Sequence, residues 1–363
     1  MSLSVIGIGT AVPPHSIAQP KAAELAKAFC CRTEEQARLL PVLYERTRVD
    51  RRGSVLLDGT NGSGLRQSFF PPLVGETDLG PTTEQRMQRY AREAPGLALS
   101  AAQRAIAESH LTAAHLDHLI TVSCTGFVAP GADIALIKGL GLPSTISRTH
   151  IGFMGCHGAF NGLRIASALV DAQPQARVLL CAVELCSLHF RYGWDPGQVV
   201  ANALFADGAA AIIAVAASQS TAKEWQVAAS GSNLFPDSEE AMAWTVGDHG
   251  FEMKLSARVP ALLGSHLRPW LERWLGQNGL ALQEIRSWAI HPGGPRILNT
   301  VAACLQLSDE ETAASREILA EYGNMSSPTI LFILERLRRQ GAPRPCVALG
   351  FGPGLAAEAI LFA

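Results

Sequence analysis

Of the chain's eight cysteines, Cys156 stands out by position. It follows Gly-Phe-Met-Gly and precedes an apolar-periodic run at 159–170 that reads as a helix. A helix N-terminus carries about half a positive charge and favours a thiolate, so a depressed thiol pKa is expected. An inert buried thiol is the competing reading. His291 closes a short strand, SWAI, and is followed by Pro-Gly-Gly-Pro. In open α/β sheets, ligands and catalytic groups gather at the C-terminal ends of strands; a hydrogen-bonded loop histidine is the alternative. Asn324 lies in GNMSSPTILFILERL, just before a strong helical pattern, where helix capping is a routine role for Asn. Taken together, a thiolate, an imidazole and an amide are the set that acyl transfer to sulfur needs. The thiolate accepts the acyl group. The other two donate hydrogen bonds to a thioester oxygen and stabilise an enolate. On this reading Cys156 and His291 form an ion pair.

Other signatures are missing. GFGPG at 350–354 is not G-x-G-x-x-G, and the chain contains no P-loop, no G-x-S-x-G elbow and no C-x-x-C, which argues against a dinucleotide site, a serine hydrolase and a structural zinc site. Phe205, in ALFADGAAA, has simple core packing as its plain reading. The densest basic cluster, RTRVDRR at 46–52, fits either a solvated loop or an anion site. A formal net charge of −2 gives no footprint of nucleic-acid binding. No stretch reaches 18 apolar residues, and the nearest, 201–217, carries Asp207, so no membrane span is expected. The N-terminal run lacks a basic start and is broken by Gly and Pro, unlike a signal peptide. The expected location is therefore the cytoplasm, with thiols reduced and the sequons at Asn61 and Asn324 unused.

These residues need elements to hold them, and the 363-residue chain, 48% apolar, is long enough for one duplicated domain or two. Buried strands are expected at 4–9, 119–123, 145–151, 178–184 and 209–216, and helices at 20–28, 34–43, 82–109, 133–140 and 159–170. In the last of these, Phe160, Leu163, Ala166, Leu169 and Val170 share a face. LALQEIRSWAIHPGG at 280–294 parallels LTAAHLDHLITVSCTG at 111–126. CVALGFGPGLAAEAIL at 346–361 parallels the stretch from Val178 onward. The repeated order implies a duplicated α/β unit, divided as 1–220 and 221–363. Alternating strands and helices imply mostly parallel sheets with helices on both faces.

At this point the sequence resembles the type III polyketide synthases, the chalcone and stilbene synthase-like enzymes. The resemblance rests on PGAD at 130–133, the GC around Cys156, ALFADGAAA at 203–211, AIHPGGP at 289–295, GNMSS at 323–327 and GFGPG at 350–354. It implies a thiolase-like fold, with duplicated α/β halves in stacked αβαβα layers, and a homodimer. It implies that Cys156 carries the starter and growing chain, with His291 and Asn324 holding the thioester carbonyl. Acyl-CoA and malonyl-CoA would be substrates, with no separate cofactor and no metal. Phe205 matches a gatekeeper phenylalanine. Gly352 and Pro353 of GFGPG shape the cavity wall, and Ser326 of GNMSS lies at the same site. Arg46, Arg51 and Arg52 match the basic residues for CoA phosphates only approximately.

The chain departs from the plant pattern where it matters for substrate choice. Met253 stands at a second gatekeeper position that is Phe in plants. Cys124 and His189 replace cavity threonines, Trp244 stands where a plant Gly lines the cavity, and Ala129 replaces a dimer-crossing Met. Met253 and Cys124 favour an apolar acyl starter and a pyrone or resorcinol-type product. His189 and Trp244 add bulk and favour malonyl-primed synthesis of a small aromatic polyketide. A β-ketoacyl-ACP synthase III-like single condensation is the near rival. A papain-like cysteine protease, which shares the Cys, His, Asn order, is the remote one; it lacks the local Cys signature.

Overall fold

A computed structural model describes residues 3–60, 64–75, 77–221 and 224–363; the Asn61 sequon lies outside them. Its centre is a nine-stranded sheet. Numbered along the chain, the strands are β1 (Leu3–Ala11), β2 (His118–Ser123), β3 (Ser147–Gly152), β4 (Val178–Leu185), β5 (Asp207–Ala216), β6 (Trp225–Leu234), β7 (Ser287–Ile290), β8 (Cys346–Gly352) and β9 (Ala356–Phe362). Their spatial order is β7-β8-β9-β6-β1-β5-β4-β2-β3.

The duplication is visible in the pairing. In the first half β2 pairs parallel with β4, β4 antiparallel with β5, and β5 antiparallel with β1. In the second half β7 pairs parallel with β8, β8 antiparallel with β9, and β9 antiparallel with β6. The connectivity is the same. Within the sheet, a short β1–β6 contact, Leu3 to Val227 through Val5 to Trp225, joins the halves. The expected predominance of parallel pairs is wrong. The parallel pairs are β2–β3, β2–β4 and β7–β8, and the remaining five are antiparallel. The reason is local at β8–β9: three residues separate Gly352 from Ala356, too few for the crossover a parallel pair requires.

Burial sorts the layers. The helices Gly158–Ala172 and Thr329–Arg339 share one core with inward residues of both half-sheets, from Val122 and Leu180 to Ala348 and Ile360. All but one of the apolar-face residues expected from sequence are buried there, and Leu169 packs against it half-buried. On the outer face of the first half, the Thr83–Ser109 helix packs with Leu119, Leu179 and Ile213. On the outer face of the second, the Val259–Gln277 and Pro295–Leu305 helices cover Trp288, Val347 and Leu361. This is an αβαβα stack. Fully buried β4 and β5 explain why VLLCAVEL and DGAAAIIAVA read as continuous apolar runs rather than alternating ones.

The Thr83–Ser109 helix starts at a capping box, Thr82 with Gln85, runs through Pro95 and ends at left-handed His110. It lies unusually close to β1. A Cβ on Gly9 would sit 2.2 Å from the Ala101 carbonyl oxygen, and one on Gly7 2.3 Å from that of Ala105. Both obstacles are backbone, so no side chain can swing aside. Replacing Gly9 by Ala should therefore destabilise the fold by at least the ~1–3 kcal/mol of ordinary overpacking. Urea denaturation of Gly9→Ala checks this; an unchanged midpoint would refute the close packing.

Candidate active site

Cys156 lies in a single 3₁₀ turn, Gly155–His157, that runs directly into the Gly158–Ala172 helix. Two glycine contacts fix the turn. Gly155 has φ +70°, and a Cβ there would strike Pro353 at 2.6 Å; a Cβ on Gly352 would meet the His157 ring at 2.1 Å. GFGPG thus presses against the cysteine turn from behind. Pro353 lines the cavity in front of Cys156, whereas Gly352 does not. The absence of a side chain on Gly352 lets the His157 ring approach this closely.

The cavity holds about 600 Å³ of atom-free space, its mouth included. Cys124, Cys156, His189, Phe205, Trp244, Met253, Ser326 and Pro353 all line it, so most of the residues singled out in the sequence converge. Phe205 caps the Pro196–Leu204 helix and forms a bridge with Asn324, which ties the cavity wall to the GNMSS loop. Ser326 has φ +58°, and its backbone N–H donates to Asn324 Oδ1 at 2.8 Å. That bond fixes the amide orientation and leaves the Nδ2 hydrogens as donors for other atoms.

The Cys156 thiol is pushed up to about 11. Burial is the main cause; contacts from Ser326 and Asn324 pull it back, and the charge of Glu184 adds to the rise. His291 is 1% exposed and pushed down to about 3 by burial, with the nearby His157 adding to the fall. Among the described residues neither ring nitrogen has a hydrogen-bond partner. Burial thus moves the thiol up and the imidazole down, against the direction of the expected depressed thiol and Cys156–His291 ion pair. A fully buried imidazole with two unsatisfied nitrogens is costly, and it is suited to bonding a substrate carbonyl oxygen.

His189 and Trp244 are fixed rather than titrating. His189 donates through Nε2 to the Thr125 carbonyl at 2.6 Å and accepts at Nδ1 from the Phe251 N–H at 2.9 Å. Its ring stacks on Phe251 at 4.2 Å. Burial pushes it to about 3, which keeps it neutral. Trp244 donates to the Cys124 carbonyl at 2.7 Å and meets His189 edge-on.

One determinant escaped the sequence reading. Glu184 ends the run VLLCAVE, is fully buried, and has no cation within ion-pair distance among the described residues. It accepts instead from Cys124 N, Thr125 N, Ser123 Oγ, Thr125 Oγ1 and Ser327 Oγ. A carboxylate ending an otherwise apolar strand was the available signal. Cys186, Phe190, Gln198, Asn202, Met242 and Phe251 also line the cavity unforeseen.

Arg52 is corrected too. It is 4% exposed, its Nη1 donates to the Asn202 and Phe205 carbonyls, and it does not face solvent as a CoA phosphate site must. Arg46 and Arg51 are exposed.

Family models match nearly the whole chain: chalcone and stilbene synthases, N-terminal domain, over residues 2–218, and C-terminal domain, over residues 226–363. The chain is a type III polyketide synthase of the chalcone and stilbene synthase family. The type III synthase is 33% identical to the alpha-pyrone synthesis polyketide synthase-like Pks18 of Mycobacterium tuberculosis, over 98% of this chain and 90% of that protein. It is also 33% identical to the 1,3,6,8-tetrahydroxynaphthalene synthase of Streptomyces peucetius, over 99% and 92%. PKS-I of the brown alga Ectocarpus siliculosus superposes with TM-score 0.91 at 30% identity, covering 99% of this chain and 98% of that one. The synthase's fold and family membership end the protease reading. Among the described residues no helix is long and apolar enough to cross a membrane.

The effect of burial on the thiol has a measurable consequence. If burial holds the thiol near 11, the rate of Cys156 alkylation by iodoacetamide keeps climbing from pH 7 to pH 10. A rate already flat at pH 7 would mean a depressed thiol and a standing ion pair.

Proposed function

We propose that Cys156 accepts the acyl group of a CoA starter, and that His291 and Asn324 hold the thioester oxygen during loading and extension. The observation that carries this reading is a cavity lined by Cys156 and Ser326, a thiol that Ser326 and Asn324 contact, and a buried His291 imidazole that feels His157, the residue after Cys156, and has no hydrogen-bond partner among the described residues. In loading, the thiol proton passes to His291 as sulfur attacks the thioester carbon. The C–S bond to CoA then breaks, and the proton leaves with the CoA thiolate. In extension, malonyl-CoA loses CO₂. The electron pair left behind forms an enolate whose oxygen takes hydrogen bonds from His291 and Asn324 Nδ2. Its carbon attacks the acyl–Cys156 thioester, a C–C bond forms, and the cysteine sulfur leaves. Residues 1–220 supply the nucleophile and residues 221–363 the two donors.

Removing one such donor removes roughly 2.7–4 kcal/mol of transition-state stabilisation. Asn324→Ala should lose decarboxylation of malonyl-CoA by that factor, while loading of a starter on Cys156 suffers less. Wild-type decarboxylation by this variant, followed as CO₂ release, would remove Asn324 from the enolate site.

For the CoA phosphates the exposed Arg46 and Arg51 are the remaining candidates, on the helix Glu34–Glu45 side of the chain. The active form is a cytoplasmic homodimer. Strand β3 ends the sheet with its other edge unpaired, and the adjoining Phe127 and Val128 are 54% and 40% exposed, an apolar edge that calls for cover.

The starter is an apolar acyl-CoA and the product an alkylpyrone or resorcinol. Met253, flexible where a plant enzyme is rigid, lines the cavity beside Phe205. The second reading, a malonyl-primed small aromatic polyketide, is favoured by the His189, Phe251 and Trp244 rings, which interlock and occupy one wall. Each buried CH₂ contributes about 0.8 kcal/mol. On the first reading kcat/KM rises from acetyl- toward longer acyl-CoA starters. A flat or falling series, with malonyl-CoA alone giving the main product, selects the second.

A further inference from the structure

Met253 sits on a strand with an open edge. Met242–Gly247 and Gly250–Leu255 form a two-stranded hairpin outside the main sheet. Side chains alternate along a strand, so Met242, Trp244, Phe251 and Met253 share one face, and all four line the catalytic cavity. Trp244 and Met253 stand directly opposite each other in the register. Opposite residues alternate between bonded and non-bonded pairs. Phe251 and Met253 belong to the same set, and each turns a main-chain group outward, where the hairpin offers no further strand.

Two side chains take the place of that strand. His189 Nδ1 accepts from the Phe251 N–H at 2.9 Å. Two residues on, the Met253 carbonyl accepts from Gln198 Nε2 at 2.9 Å. Gln198 lies in the first turn of the Pro196–Leu204 helix, where the Asp195 carboxylate accepts from its backbone N–H at 2.8 Å. From there Gln198, Ala201, Asn202 and Phe205 follow at the spacing of one helical face, and all four line the cavity. Gln198 thus joins the helix that ends at Phe205 to the strand that carries Met253. A further tie is weaker. Arg191 pairs with Glu252, whose side chain points to the opposite face of the strand; both are partly exposed, and solvent screens such a pair.

We infer that Gln198 is a positioning residue that sets starter length: its amide holds the Met253 carbonyl and so fixes how far the Met253 side chain stands into the cavity. This rests on the reading that an acyl starter occupies the cavity. A short starter fits in front of Met253 and leaves the bond intact. A longer chain pushes Met253 back, and the strand moves with it at the expense of the Gln198 bond. Long starters alone bear that cost.

The test is kcat/KM of the intact enzyme for octanoyl-CoA relative to acetyl-CoA, with malonyl-CoA as extender. Gln198→Met keeps the length and removes the donor. A neutral hydrogen bond is worth about three- to tenfold, so the octanoyl/acetyl ratio should rise by about that factor over wild type. In Met253→Ala the shortened side chain no longer meets the starter, and there Gln198→Met should change the ratio by less than about twofold. Gln198→Glu, the same shape but ionised at neutral pH and without a donor, should act as Gln198→Met does; it decides the matter if Gln198→Met fails to fold. A ratio unchanged or lowered on loss of the donor overturns the proposal. So does an equal rise in the Met253→Ala background, because Gln198 would then act without Met253. A wild-type ratio below one contradicts the apolar-starter reading instead, and the shift on losing the donor is read against that ratio all the same.

Discussion

The catalytic cavity depends on a carboxylate that never touches substrate. Glu184 is fully buried at the end of β4, and its two oxygens collect donors from the end of β2 (Ser123, Cys124, Thr125) and from the loop that carries Asn324 (Ser327). Without it, three chain segments from different parts of the sequence would face one another with unsatisfied N–H and O–H groups. Burial raises the pKa of Glu184 and these hydrogen bonds oppose the rise. The hub therefore fixes where Cys124, Ser326 and Asn324 stand, and its charge raises the thiol of Cys156 as well.

Burial sets the charge balance of that arrangement. It raises the Cys156 thiol and lowers the His291 imidazole, which disfavours opposite charges on the two at rest. Cys124 and Cys186, also in the cavity wall, lie in the field of Glu184 too, and burial raises both well above the usual thiol range. Three thiols thus share one chamber; Cys124 also contacts Ser326, and Cys156 differs through its contact with Asn324 and its place ahead of a 15-residue helix.

Several residues of the cavity were legible because they reside in residue type and local punctuation. A cysteine between a Gly-rich turn and a helix lines the cavity, and the repeated strand grammar announced the duplication. Charge balance was not legible. Arg52 looks in sequence like its exposed neighbour Arg51, yet it turns inward to the end of the Pro196–Leu204 helix and binds the Asn202 and Phe205 carbonyl oxygens. The thiol pKa was misjudged for the same reason: a helix N-terminus can be read from sequence, but the depth of burial that outweighs it cannot. Strand direction failed where it depended on turn length, at the three-residue link before Ala356. Gly352 was correctly singled out and assigned the wrong neighbour, since close approach to His157 exists only in three dimensions.

The central claim is that, of three thiols in one cavity, Cys156 alone carries the acyl group. Peptide-mapped mass spectrometry of protein quenched after brief exposure to hexanoyl-CoA tests it directly. A hexanoyl adduct confined to the peptide containing Cys156, and lost in Cys156→Ala, is the expected result. An adduct on Cys124 or Cys186, or one that survives in Cys156→Ala, would contradict it.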